Sequence, residues 1–153
     1  MSFEWLISVS HFFCNFIFVD SNSKGCIAEY KFGIECLKRD INISYPLMHT
    51  SVYDCIADTG GNMYRIQIKS SFQDFQRNRK TVHVQWKRTY EKVDVDYFAV
   101  WIEKFKGFFI FKNDGTRLAV RLSLTNDYSK FFNNFDFKEF FLSLWCIFFV
   151  FLF

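Results

Sequence analysis

The sequence predicts a single α/β domain, and three observations point there. A helical apolar period runs over 24–40, an alternating strand pair closes around Gly60-Gly61, and four further strand-like segments follow up to 122. Half of the 153 residues are hydrophobic and one is proline, a composition that supports a packed core and argues against disorder.

The elements follow in chain order. The helix over 24–40 carries Ile27, Tyr30, Ile34, Leu37 and Ile41 on one line and Ala28, Phe32 and Cys36 on another, beside Glu29. It is apolar around much of its circumference, so burial is expected. Pro46 introduces a strand over 51–58, and its hairpin partner covers 63–70. The polar stretch 71–80 reads as loop or a short irregular helix. Over 81–86, Val82, Val84 and Trp86 alternate with Thr81, His83 and Gln85, the pattern of a third strand. Two apolar strands over 97–102 and 108–111 are joined by a charged link, and Asn113-Asp114-Gly115 is a turn before a strand over 116–122. No internal repeat is present.

Strand arithmetic places chemistry on the first hairpin. If it closes around Gly60 and Gly61, Asp58 faces Met63 and Asp54 faces Gln67, with Cβ atoms roughly 5 Å apart. Lys69 shares the face of Gln67 because strand side chains alternate with period two. A carboxylate, an amide and an amine therefore converge inside an apolar frame of Val52, Ile56, Tyr64, Ile66 and Ile68. A slip of one residue would break the arrangement.

These residues carry a family resemblance. Ala28-Glu29, Tyr53-Asp54, Arg65-Ile66-Gln67-Ile68-Lys69 and Val93-Asp94-Val95-Asp96-Tyr97-Phe98-Ala99-Val100 stand in an order that resembles the PD-(D/E)XK nuclease superfamily. The resemblance is narrower to the small branch holding a group I intron homing endonuclease and the archaeal Holliday-junction resolvases. It spans about 24–130, leaving 1–23 as an apolar N-terminal extension and 131–153 as a Phe-rich C-terminal one. It implies a restriction-endonuclease-like core, a mixed β-sheet flanked by helices. Two departures stand out: Tyr53 replaces the proline before the aspartate, and Gln67 replaces the usual acid. The homing-endonuclease branch is similar in carrying Gln at that position.

The resemblance implies Mg²⁺-dependent hydrolysis of DNA phosphodiesters with Glu29, Asp54, Gln67 and Lys69 as the catalytic set. Mg²⁺ keeps one or two carboxylates and completes its octahedron with neutral oxygens, so Asp54 is the obligatory ligand and the Gln67 amide oxygen a weaker one. Lys69 would position or help deprotonate the attacking water, and Glu29 would orient it or Lys69. Asp94 and Asp96 read more simply as turn or strand-start residues. A homing endonuclease is the favoured activity; a junction resolvase, or an inactive DNA-binding or membrane-associated relic, are the alternatives.

Net charge of +3 says little about nucleic acid, but the charge distribution says more. Lys69, Arg77, Arg79, Lys80, Lys87 and Arg88 face one acid, Asp74, with Phe72, Phe75 and Trp86 interleaved. Leaving the strand of Lys69, this run would flank the site where double-stranded DNA must lie, with Arg77, Arg79, Lys80, Lys87 and Arg88 on phosphates. A solvated loop is the competing reading. A double-strand cut also requires at least two active sites, so a homo-oligomer, dimer or tetramer, is expected.

Other chemistries lack their signatures. Cys14, Cys26, Cys36, Cys55 and Cys146 and His11, His49 and His83 show no zinc or Cys/His nucleophile spacing, and no Gly-rich phosphate loop occurs. The cysteines read as buried apolar residues in a reducing, intracellular compartment. The charge-free run over 140–153 is shorter than the roughly 20 residues that span a bilayer. A packing or subunit-interface helix is the favoured reading of this run, ahead of a membrane anchor or sequence outside the ancestral frame. The segment 1–19 has no basic lead or cleavage site, so a secretory signal is not expected.

Overall fold

The computed structural model describes residues 20–48, 50–72 and 80–137. Helix α1 spans Ser21–Leu37. It starts three residues earlier than its periodicity predicts because Asp20 caps it, accepting from the Asn22 and Ser23 N–H groups at 2.8 and 3.1 Å. It ends in a Schellman turn: Asp40 takes φ 56°, and the Ile41 N–H reaches the Cys36 carbonyl at 3.1 Å.

The central sheet is mixed, with strands β1 (Asn42–Ser44), β2 (Cys55–Asp58), β3 (Met63–Ser71), β5 (Tyr97–Ile102) and β6 (Gly107–Lys112) side by side in that order. Among the described residues, β3 and β5 pair in parallel and the other neighbours in this sheet are antiparallel. A separate antiparallel ribbon joins β4 (Val82–Gln85) to β7 (Ala119–Leu122). Strand β4 thus belongs to this ribbon and not to the first hairpin's sheet.

Pleat alternation divides the core into two layers. Ile66, Ile68, Tyr97, Ala99, Trp101, Phe108 and Ile110 face α1, which contributes Ala28, Phe32 and Cys36. Phe98, Val100, Ile102, Phe109 and Phe111 point the other way, against Val82, Val84, Val120 and Leu122 of the ribbon. All six β5 side chains are consequently buried, as a strand covered on both faces requires. Among the described residues the second layer is supplied by the ribbon and aromatic loops; α1 flanks the first.

Two expectations need correction. Only the Ala28, Phe32 and Cys36 line of α1 is buried; Tyr30, Ile34 and Leu37 are exposed, because just one stripe of the helix meets the sheet. Residues 51–54 lie outside the strand that was expected to begin at 51. Trp86 is buried on the side of Val82 and Val84, in keeping with the alternation over 81–86, and packs edge-on against Phe98 at 4.9 Å. Phe135 and Phe137, read from sequence as part of the C-terminal extension, pack into the α1-side core, where Phe135 stacks on Phe32 at 5.7 Å.

Candidate active site

The Gly60 turn sets the hairpin register. Gly60 has φ 79°, and its N–H donates to the Asp58 carboxylate at 2.8 Å. Asp58 faces Met63 and Cys55 faces Ile66, the expected register. Pairing then breaks: the Asp54 N–H donates to the Ile66 carbonyl at 2.9 Å, the residue already opposite Cys55. This one-residue offset ends the strand and frees the Asp54 carboxylate to turn inward.

Asp54 Oδ2 accepts the Ile68 N–H at 2.6 Å and a short hydrogen bond from the Gln67 amide. Gln67 is itself buried, and its Nε2 lies 3.4 Å from the Ile68 carbonyl. Burial pushes the Asp54 carboxyl up to about 6, although the Ile68 N–H and the Lys69 charge pull the other way. The Glu29 carboxylate on α1 is near enough for its charge to push Asp54 further up. Asp54, Gln67 and Ile68 are therefore in contact, and Lys69 and Glu29 act on Asp54 through their charges.

The donor set suits a hard divalent cation. The Gln67 NH₂ group now donates to two oxygens, and turning the amide over would present its own oxygen beside the Asp54 carboxylate and the Ile68 carbonyl. One carboxylate with neutral oxygens is the ligand chemistry Mg²⁺ accepts. Among the described residues, no three His, Cys, Asp or Glu side chains gather at a metal position, so the neutral oxygens have to complete the set.

Tyr90 is the residue that sequence reading missed. Its ring lies 5.2 Å from Lys69 Nζ and 5.0 Å from the Arg88 guanidinium carbon, and it packs edge-on against Phe98 at 5.5 Å. One aromatic ring thus gathers the expected catalytic lysine and one expected phosphate contact. No periodicity marks Tyr90, because it sits between predicted elements. Tyr90→Leu is expected to slow single-turnover DNA cleavage about tenfold, with Tyr90→Phe near wild type. Equal rates for the leucine variant would show that the ring does not hold Lys69.

The remaining residues sort clearly. Lys80, Lys87 and Arg88 are exposed, whereas Arg77 and Arg79 lie outside the described residues, as do Asp74 and Phe75. Asp96 clasps Arg65, accepting from its backbone N–H at 2.8 Å and from Nε and Nη2 at 3.0 Å each. Burial would raise the Asp96 carboxyl, but these bonds and the Arg65 charge hold it below the ordinary value. Its role is to tie β3 to the approach of β5. Glu35, the other α1 carboxylate near the site helix's end, pairs with Lys38 and Arg39 on the surface. Cys36 and Cys55 are buried free thiols, and burial pushes both thiols up, Cys36 to about 12.

A mixed sheet with one helix across it, with Gln67-x-Lys69 on β3 and Asp54 just before β2, is similar to a restriction-endonuclease-like fold. The sequence matches the PD-(D/E)XK endonuclease family over residues 19–136, and the chain belongs to that family. Its structure is similar to that of the bacterial homing endonuclease I-Ssp6803I, with 22% identity and a TM-score of 0.63 over 74% of this chain and 87% of that one. It is also similar to Hjc, a Holliday junction resolvase from the archaeal hyperthermophile Archaeoglobus fulgidus, with 15% identity and a TM-score of 0.45 over 65% of this chain and 84% of that one. No curated protein matches the sequence.

Proposed function

We propose that this protein is a divalent-metal-dependent DNA endonuclease that hydrolyses phosphodiester bonds, and that it works as a homing endonuclease with Mg²⁺. The observation that carries this reading is the half-buried Asp54 carboxylate, held by Gln67 and the Ile68 N–H, and set within reach of the Lys69 charge. Burial pushes this carboxyl up to about 6, so its ionised form lacks a full counter-charge in the chain alone. A divalent cation bound beside it would supply that charge and favour the carboxylate.

A bound divalent ion would lower the pKa of an attacking water and polarise the scissile phosphate. Asp54, the turned Gln67 amide and the Ile68 carbonyl would hold it. Lys69 would align the water and offset the charge of the phosphate, with Tyr90 fixing its ammonium. Glu29 would orient the same water or Lys69. Lys80, Lys87, Arg88, Arg77 and Arg79 would lie along the DNA backbone, and two or more copies would deliver a double-strand cut.

The test is conversion of supercoiled plasmid in Mg²⁺ and in excess chelator. Nicked or linear product in Mg²⁺ alone supports the reading; product in both, or in neither, contradicts it. Gln67→Glu is expected to cleave at least as fast as wild type at limiting Mg²⁺, because it supplies a charged ligand. A rate lowered tenfold at limiting Mg²⁺ would contradict the ligand role.

No helix among the described residues is long and apolar enough to cross a membrane. The expected run over 140–153 lies outside those residues.

A further inference from the structure

The β4–β7 ribbon has one face in the core and one in solvent. Val82, Val84, Val120 and Leu122 point inward; His83, Gln85, Ala119 and Arg121 are exposed. Register places His83 directly opposite Arg121 and Gln85 opposite Ala119, so the outward side chains form one compact patch. The segments 80–88 and 118–122 together carry Lys80, Lys87, Arg88 and Arg121 and no Asp or Glu, while Arg117, just before β7, is paired with Asp114. An ordinary solvated ribbon mixes signs of charge, but this one does not.

Its position adds the second argument. Gln67 and Lys69 pair across the parallel ladder with Phe98 and Val100, and those two residues pack on the ribbon. The ribbon is therefore on the sheet face that presents Gln67 and Lys69. Arg88 follows β4 by three residues and reaches the ring of Tyr90, which also meets Lys69. A duplex whose phosphate reached Lys69 would run beside this patch.

We propose that the outward face of the β4–β7 ribbon is a base-reading surface that enters the major groove of double-stranded DNA, with His83, Gln85 and Arg121 on base edges. The inference rests on the nuclease reading for its partner. A two-stranded ribbon matches the roughly 12 Å width of the major groove. The side chains are of reading type: Arg donates twice to guanine O6 and N7, Gln pairs with adenine N6 and N7, and His offers a donor and an acceptor. Lys80 and Lys87 flank β4 at its two ends, where phosphates would fix the register of the ribbon.

The test is a selection from a randomised duplex pool by the full chain in chelator, which prevents cleavage and separates reading from hydrolysis. Wild type is expected to enrich a sequence motif. Gln85→Thr and Arg121→Thr keep strand propensity at exposed positions. Each is expected to flatten base preference at one or two positions and to lower affinity for the enriched duplex about tenfold or more, leaving affinity for scrambled duplex unchanged for Gln85→Thr. Identical motifs from wild type and both variants, or no motif from wild type, would overturn the proposal. Loss of the proposed hydrolysis is read separately in the plasmid assay: a chain that selects a motif yet never cuts retains the ribbon and loses the nuclease.

Discussion

Asp54→Asn is expected to abolish DNA cleavage, by about a thousandfold or more, and at the same time to stabilise the fold at neutral pH. The second effect follows from burial. The Asp54 carboxyl stands at about 6 in the folded chain against an ordinary 3.8. Between those values the folded state holds a proton that the unfolded state has lost, so the stability Asp54 contributes is present below about 3.8 and disappears as pH rises through about 6. At pH 7 the ionised group costs about 3 kcal/mol relative to its protonated form, as an order of magnitude. Asparagine is neutral throughout and keeps an oxygen for the Ile68 N–H. Thermal unfolding of both proteins between pH 4 and pH 8 checks this. The variant is expected to melt higher than wild type at pH 7, with the difference shrinking toward pH 4. A variant that melts lower at pH 7 would show that Asp54 is a structural acceptor.

Asn113→Leu is expected to produce the largest loss of stability at a residue distant from the reacting groups. Asn113 is buried, and its amide donates to the carbonyls of Tyr90, Glu91 and Val95 at 2.9, 3.2 and 3.0 Å, while its oxygen accepts the Gly115 N–H at 3.0 Å. Leucine has similar volume and leaves these groups without their partner. The cost is about 2–4 kcal/mol, since each buried polar group left unsatisfied costs about 1–3. The same loop carries Tyr90, so cleavage by the remaining folded protein should fall as well. Denaturant titration and single-turnover cleavage on one preparation read both effects. An unchanged unfolding midpoint would remove Asn113 from its place as the loop's anchor.

What the sequence revealed and what it hid have separate physical causes. Gly60-Gly61 and the alternation of Tyr64, Ile66 and Ile68 determine the hairpin register, so the contact of Asp54 with Gln67 was legible. The period of Ala28, Phe32 and Cys36 marks the buried stripe of α1. The second line through Tyr30, Ile34 and Leu37 is equally apolar and yet exposed, because periodicity does not say how many faces of a helix find partners. Val52, Asp54 and Ile56 alternate like a strand, but the Asp54 N–H takes the carbonyl of Ile66, already opposite Cys55, and this one-residue offset ends the ladder there. Strand β1 has three residues, too few for any period to register.

Long-range pairing was the least legible feature. The alternation of Val82, Val84 and Trp86 identifies β4 as half-buried, but it cannot name β7 as its partner across the intervening β5 and β6. Tyr90 falls in a segment with no pattern, and only the folded chain shows its ring between Lys69 and Arg88.

The most direct measurement is single-turnover cleavage by Lys69→Ala beside wild type in saturating Mg²⁺, with DNA binding of both measured in chelator. If Lys69 aligns the attacking water at an Asp54-centred site, the variant should bind DNA within about threefold of wild type and cleave about a thousandfold more slowly or worse. Cleavage by Lys69→Ala at a rate close to wild type would place the hydrolytic centre somewhere other than Asp54, Gln67 and Lys69.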